Sequence, residues 1–237
     1  MANQSRTNTS ADPTRTYPAG YGTVEPVANY RPWDIDARFQ AIYQKVKDNT
    51  MVDVFRLWVL WTLARRARPG AAIEIGSWRG GSGAVLATAV GARSPAAGTR
   101  VILADTFDGV VKAGERDTYY TGGEHNNTSP ELVRGFLDGL GLTWVEVLVG
   151  TFPDDTAGSL DGVPFGFAHI DVDVYQSARD AFEWLWPRLV PGGVVVFDDY
   201  GFYGCEGVTA YVEELMANQP EVTIMPNLTG QAVAVKS

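Results

Sequence analysis

The chain predicts an α/β fold: a doubly wound, mostly parallel sheet closed by a C-terminal antiparallel strand, preceded by a helical extension. Three observations carry this. Short strand-like runs alternate with helix-length segments from about residue 69 onward. The runs themselves, such as Val194–Phe197 and, apart from His169, Phe167–Ile170, are apolar, as strands covered on both faces are. Finally, Val222–Met225 and Gln231–Val235 flank Pro226–Gly230, a turn that closes an antiparallel pair.

The elements follow in order. Residues 1–30 are rich in Asn, Ser, Thr, Pro and Gly and predict a flexible arm. Residues 31–68 predict a helical extension or lid, with helices over Asp36–Asp48 and Met51–Arg66, ended by Pro69-Gly70. Residues 69–237 form the α/β domain. Its strands are expected at Ala71–Gly76, Arg100–Asp105, Trp144–Val149, Gly166–Asp171 and Gly193–Asp198. Helices are expected at Ser82–Val90, Pro130–Leu140, Tyr175–Leu189 and Gly207–Ala217, the third stopped by Pro191-Gly192-Gly193. The polar loop Gly109–Ser129 is long for such a fold, and loops of that length are often lids or binding loops.

Composition narrows the function. The 237 residues are 45% hydrophobic and 20% charged, an ordinary globular balance with length enough for one large core. A net charge of −9 disfavours nucleic acid and anionic membrane surfaces as partners. The one cysteine, Cys205, precludes an intrachain disulfide and reads as a small packing residue. With no apolar leader in the first sixteen residues, the expected location is the cytoplasm. Apolar residues on the N-terminal helices fit either a homodimer or higher homo-oligomer, or burial against the core.

Ligands of open α/β sheets bind outside the carboxyl ends of the strands. There the sequence places Glu74-Ile75-Gly76-Ser77-Trp78-Arg79-Gly80-Gly81, a glycine turn opening a helix. Trp78 stands where a dinucleotide fingerprint needs its second glycine, which counts against NAD, and no Walker A lysine is present. Asp105 ends the next strand and is suited to accept hydrogen bonds from both ribose hydroxyls of a nucleoside, or to cap its own loop. Asp171, Asp198 and Asp199 end two further strands. Three such carboxylates repel one another unless a cation lies between them, and an all-oxygen set suits Mg²⁺. Adjacent aspartates also occur as helix caps or solvated turns.

These pieces, together with Ala104-Asp105-Thr106-Phe107-Asp108-Gly109, Asp171-Val172-Asp173-Val174-Tyr175-Gln176-Ser177 and Asp198-Asp199-Tyr200-Gly201, match one pattern in order. From about Thr50 to the C-terminus the chain resembles the macrocin O-methyltransferase family, S-adenosyl-L-methionine- and Mg²⁺-dependent enzymes that methylate hydroxyls of antibiotic sugars. The resemblance implies a class I methyltransferase fold and a glycosylated natural product as acceptor. It implies metal ligation by Asp171, Asp198 and Asp199. Cofactor contacts are expected from Glu74, Gly76, Ser77, Trp78, Gly81, Asp105, Thr106, Phe107 and Asp171, and from Gly150, Thr151 and Phe152 after the third strand.

A base is also required. His125 lies in the long loop, where a histidine is by type suited to act as a base or is simply solvated, and the family carries a histidine in the comparable loop. Asp173 is the second choice, as base or as support for the ligands. His169, inside an apolar strand, reads as a core histidine. Tyr175 and Tyr200 flank the aspartates and are expected to line the sugar pocket. Two rival readings are a metal-dependent hydroxylase on the same scaffold and a non-catalytic nucleoside-binding partner.

Overall fold

The structure, a computed structural model, describes residues 16–25, 27–91 and 100–237. Half of the expected arm, residues 1–15, lies outside the described residues, as does residue 26. The remainder of the arm contains neither helix nor strand.

Three helices open the chain: α1 (Pro32–Ile35), α2 (Ala37–Val46) and α3 (Val54–Ala64). Asp36 caps α2 and Asp53 caps α3, each carboxylate accepting two backbone N–H groups. The α/β portion then runs β1 (Ala71–Ile75), α4 (Gly81–Gly91), β2 (Val101–Asp105), α5 (Pro130–Gly139), β3 (Glu146–Val149), β4 (Phe165–Ile170), α6 (Tyr175–Leu185), β5 (Leu189–Phe197), α7 (Glu206–Asn218), β6 (Thr223–Pro226) and β7 (Ala232–Val235). The seven strands form one sheet in the order β3-β2-β1-β4-β5-β7-β6. Strands β1 to β5 pair in parallel, and β7 runs antiparallel to both neighbours, as expected. None of the described helices is long and apolar enough to cross a membrane.

One boundary needs correction. The predicted helix Tyr175–Leu189 ends at Leu185, and Trp186–Arg188 is a single 3₁₀ turn around Pro187. Leu189 already pairs with Phe165, so β5 begins before Pro191-Gly192-Gly193, which lies inside the strand. Proline lacks the N–H a helix interior needs, so Pro187 ends the helix four residues earlier than Pro191 would.

Strand alternation divides the core into two layers. Ala72, Leu103, Phe167 and Val196 face α2–α5. Ile73, Ile75, Ala168, Val195 and Phe197 face α6 and α7. Glu74, His169 and Asp198 continue the first set by the same two-residue period. Three ionisable side chains are thereby buried on the face covered by α3.

Candidate active site

A cavity of about 300 Å³ opens at the carboxyl ends of β1, β2, β4 and β5. The glycine turn, Asp105, Asp171, Asp173 and Asp199 all line it. Tyr120 and His125 enter from the long loop, Met51, Val52 and Arg56 from the helical extension, and Phe202 and Tyr203 from the β5–α7 loop.

The turn wall is built by close backbone approach. Gly76 has φ +86°, and a Cβ there would fall 1.7 Å from the carbonyl oxygen of Asp171. Only glycine allows β1 and β4 to diverge so closely around the cavity. Asp105 accepts from the backbone N–H groups of Ser77 (2.7 Å) and Trp78 (2.8 Å) through Oδ2, and from Phe107 (2.7 Å) through Oδ1. A carboxylate has about four lone-pair sites. Asp105 therefore splints the turn first and keeps little capacity beyond that. The Ser77 hydroxyl is buried without a protein partner.

Trp78, the residue that argued against NAD, turns its ring toward the long loop. Its Nε1 donates to Asn127 Oδ1 (2.8 Å), and the Thr128 hydroxyl donates to its carbonyl oxygen. Of the other expected cofactor contacts, Gly76, Ser77, Trp78, Asp105, Thr106, Gly150, Phe152 and Asp171 line the cavity. Glu74, Gly81, Phe107 and Thr151 do not. Glu74 pairs with buried His169, Gly81 packs on the Asn49 carbonyl, Phe107 joins the core, and the Thr151 N–H donates to Asp155.

The acidic wall has two tiers. Asp198 is fully buried; its oxygens accept from Arg56 Nη1, from Gln231 Nε2 (2.7 Å) and from His169 Nε2 (3.2 Å). His169 Nδ1 donates to Glu74 (2.8 Å), and Arg56 also binds Asp53 (2.9 Å). Burial alone would raise the Asp198 pKa, but Arg56 and His169 outweigh it and hold the carboxyl below its usual range. Burial opposes the charge on His169 too, yet Asp198 and Glu74 prevail and push it well above the ordinary histidine value. Asp171 and Asp199 lack such partners. Burial, then repulsion from neighbouring aspartates, raises both well above the carboxylate range.

The expected ligand trio is consequently divided. Asp171 and Asp198 offer oxygens together with His169, all within 4.8 Å, while Asp199 groups with Asp173 and Cys205. Asp173 lies between these and the loop. Burial raises its pKa, against a hydrogen bond from the Tyr120 hydroxyl. That hydroxyl also lies 3.3 Å from His125 Nε2, so the structure brings both base candidates to one phenol. Tyr175 and Tyr200 are absent from the cavity lining. Their hydroxyls donate outward to Glu214 (2.7 Å) and Glu213 (2.6 Å), and Phe202, Tyr203 and Tyr120 supply the aromatic lining instead. Sequence reading missed Arg56, Gln231 and Tyr120.

Comparison with known proteins places the chain in a family. Residues 27–227 match the model of the macrocin-O-methyltransferase family. The chain belongs to that family. A relative from Streptomyces olivaceus, the 8-demethyl-8-(2,3-dimethoxy-alpha-L-rhamnosyl)-tetracenomycin-C 4'-O-methyltransferase, is 35% identical over 173 residues. The match spans 66% of this chain and 64% of that relative, short of two thirds of its length. The O-methyltransferase NovP superposes with a TM-score of 0.67 at 24% identity, over 80% of this chain and 82% of NovP. TomG from Streptomyces achromogenes, an O-methyltransferase of tomaymycin synthesis solved in complex with S-adenosyl-L-methionine, gives 0.55 at 21% identity, over 85% and 91%. Both structural likenesses show the class I methyltransferase fold for this macrocin-O-methyltransferase family member.

Proposed function

We propose that this chain transfers the methyl group of S-adenosyl-L-methionine to a hydroxyl of a deoxysugar on a glycosylated natural product, in antibiotic biosynthesis, with Mg²⁺ as the metal. One observation carries the reading: the glycine turn, Asp105 and the aspartates Asp171, Asp173 and Asp199 line a single cavity. A sulfonium nucleoside and a metal-bound hydroxyl need those two groups in one cavity. The rhamnosyl-tetracenomycin relative supports a sugar acceptor, and the methyl donor seen in TomG supports the cofactor.

The donor set fits a hard divalent ion. Beside and beneath the cavity, Arg56 pairs with Asp53 and Asp198 and His169 with Glu74 and Asp198, while Asp171 and Asp199 face other aspartates. The remaining negative charge is tolerable when neutralised by protons or by a metal. Asp171 and Asp199 would hold Mg²⁺ from the cavity lining, with Asp198 joining them only by giving up contacts with Arg56 and His169; the bound ion would supply Lewis acidity to a sugar hydroxyl. The protein does the rest. Gly76 admits the cofactor against the backbone, and Asp105 braces the turn on which its ribose would rest. Gly150 and Phe152 wall its base, and the loop carrying Tyr120 and His125 excludes water. His125 accepts the hydroxyl proton as the carbon–oxygen bond forms.

A hydroxylase with a two-histidine, one-carboxylate iron site is not assembled by these residues. His169 uses both ring nitrogens on Glu74 and Asp198, while His125 stands beside Tyr120.

The test is calorimetric titration of S-adenosylhomocysteine, with NAD as control, in Mg²⁺ and in EDTA, on wild type and Asp198→Asn. The expected result is binding of S-adenosylhomocysteine but not NAD by both proteins, with Mg²⁺ binding lost in the variant. Failure of wild type to bind S-adenosylhomocysteine overturns the reading and returns the fold to a nucleoside-independent role.

A further inference from the structure

Exposed apolar side chains border the cavity. Phe202 and Tyr203 of the β5–α7 loop line it and remain 37% and 40% exposed, and Met51, which also lines it, is 50% exposed. Uncovered apolar side chains grouped in one place mark a binding surface.

Both rings are held by elements outside their own loop. The Phe202 ring lies against the β6–β7 turn, where a Cβ on Gly230 would fall 2.1 Å from its Cε2, and the Arg56 guanidinium sits 4.6 Å from its centre. Tyr203 is clasped by the N-terminal arm. The Tyr21 N–H donates to the Pro18 carbonyl (3.1 Å), closing a turn with Gly20 at φ +91°, a conformation that favours glycine. The turn brings Tyr17 and Tyr21 onto one ring: their centres lie 5.8 Å and 5.5 Å from that of Tyr203, at 81° and 60°. Among the described residues between 16 and 31, these two tyrosines are the only ones not exposed. The covered part of the arm is thus the part that holds Tyr203. Aromatic surface fixed before a ligand arrives loses little freedom on binding it.

The charges narrow what can rest there. Asp105, Asp171, Asp173 and Asp199 line the cavity, and among the described residues Arg56 is the one arginine or lysine that does. Its guanidinium is committed to Asp53, Asp198 and the Met51 carbonyl. Phosphates are recognised by arginines, lysines, metals and helix N-termini. With the glycine turn given to the methyl donor and the metal to the sugar hydroxyl, a nucleoside diphosphate would meet carboxylates. A neutral apolar body would meet Phe202 and Tyr203.

We infer that Phe202 and Tyr203 form a platform that takes the apolar aglycone next to the acceptor sugar, with Tyr17 and Tyr21 as positioning residues for it. The sugar is then methylated after a glycosyl transfer has attached it, and not on its nucleoside diphosphate. This rests on the proposed methyl transfer to a sugar hydroxyl.

The probe is methylumbelliferyl α-L-rhamnoside, a neutral aromatic glycoside of a deoxysugar. It is compared with methyl α-L-rhamnoside and thymidine diphosphate rhamnose by calorimetric titration of the whole protein in S-adenosylhomocysteine and Mg²⁺. Wild type should bind the aromatic glycoside about tenfold more tightly than either of the others. Phe202→Ala and Tyr203→Ala should each weaken that binding about three- to tenfold. Tyr21→Ala should weaken it as well, whereas Tyr21→Phe, which keeps the ring, should not. Affinity for S-adenosylhomocysteine should be unchanged in all four variants, which a general loss of structure would not allow. Three results overturn the platform: no preference for the aromatic glycoside over the methyl glycoside, a nucleoside diphosphate sugar bound as tightly, or an aromatic glycoside affinity unchanged in Phe202→Ala and Tyr203→Ala. S-adenosylhomocysteine is titrated first. Its failure to bind wild type overturns methyl transfer itself, and its binding together with any of those results overturns the platform alone.

Discussion

Asp198 and Asp199 are consecutive, yet strand alternation gives them opposite energetic roles. Asp198 is the anion to which Arg56, His169 and Gln231 all donate. Asp199 has Asp173 and Asp198 as its main neighbours, and ionising it in the absence of a metal works against them. Removing one partner of a buried ion pair costs about 3–5 kcal/mol. At roughly 2–4 °C per kcal/mol for a chain this size, Asp198→Asn should lower the melting temperature in EDTA by roughly 6–20 °C. Asp199→Asn removes a repelled charge, so its metal-free melting temperature should equal or exceed that of wild type. Both should lose Mg²⁺ binding. Equal melting of the two variants in EDTA would overturn the division. The aspartates themselves were legible because they end apolar strands. Their partners were not: Arg56 is 142 residues from Asp198 and Gln231 is 33, and no local pattern ties a helix arginine or a turn glutamine to a strand end.

The long loop was legible by its length and polarity, but not by its fastenings. Its two ends meet where the Val110 N–H donates to the Glu124 carbonyl and the Gly123 N–H returns to Val110. Gly109 makes this possible at φ +87°, since a Cβ would lie 2.2 Å from the Glu124 carbonyl oxygen. Asn127 and Thr128 then latch the loop onto Trp78. At the tip, the Glu124 carboxylate accepts from the Thr121 N–H (2.8 Å), the Thr121 hydroxyl (2.9 Å) and the Gly122 N–H (2.9 Å). The Thr121 and Gly122 donors hold its pKa down to about 2, from an ordinary 4.5. A depressed carboxylate contributes order fully above its ordinary value and loses it as pH falls from about 4.5 toward about 2. Glu124→Gln imposes the uncharged state at neutral pH. Hydrogen exchange should accelerate across residues 118–125 in that variant and stay unchanged in β1, β4 and β5. Unaltered protection of the tip would show that the latch at Trp78 suffices. The tyrosines went astray for a related reason: Tyr175 and Tyr200 stand beside the aspartates in sequence, but α6 and the β5–α7 turn carry their hydroxyls to Glu214 and Glu213 on α7.

At the scale of the molecule, the helical extension supplies one side of the core. Leu57, Leu60 and Trp61 of α3 are fully buried in the layer that also holds Ala72, Leu103 and Phe167 of the sheet. The Gly81 N–H, at the start of α4, donates to the Asn49 carbonyl (3.0 Å), and Arg56 reaches Asp198. Sequence patterning separates residues 31–68 from the strands that follow, because the periodicity changes at Pro69-Gly70. It carries no information on which face of the sheet the helices cover. If the extension were an independent lid, damage to it would melt early and leave the sheet's transition where it was. If it completes the core, the damage spreads to the whole chain. Trp61→Ala distinguishes these. Removing a buried tryptophan costs about 3–5 kcal/mol. Over a single cooperative unit of this size that lowers the melting temperature by roughly 6–20 °C. The expected result is one transition, shifted by that amount and coincident by far-ultraviolet dichroism and calorimetry. S-adenosylhomocysteine affinity should be lowered too, because Met51, Val52 and Arg56 reach the cavity from the same helical segment. Two transitions, with the later one at the wild-type temperature, would instead make the extension a separable lid.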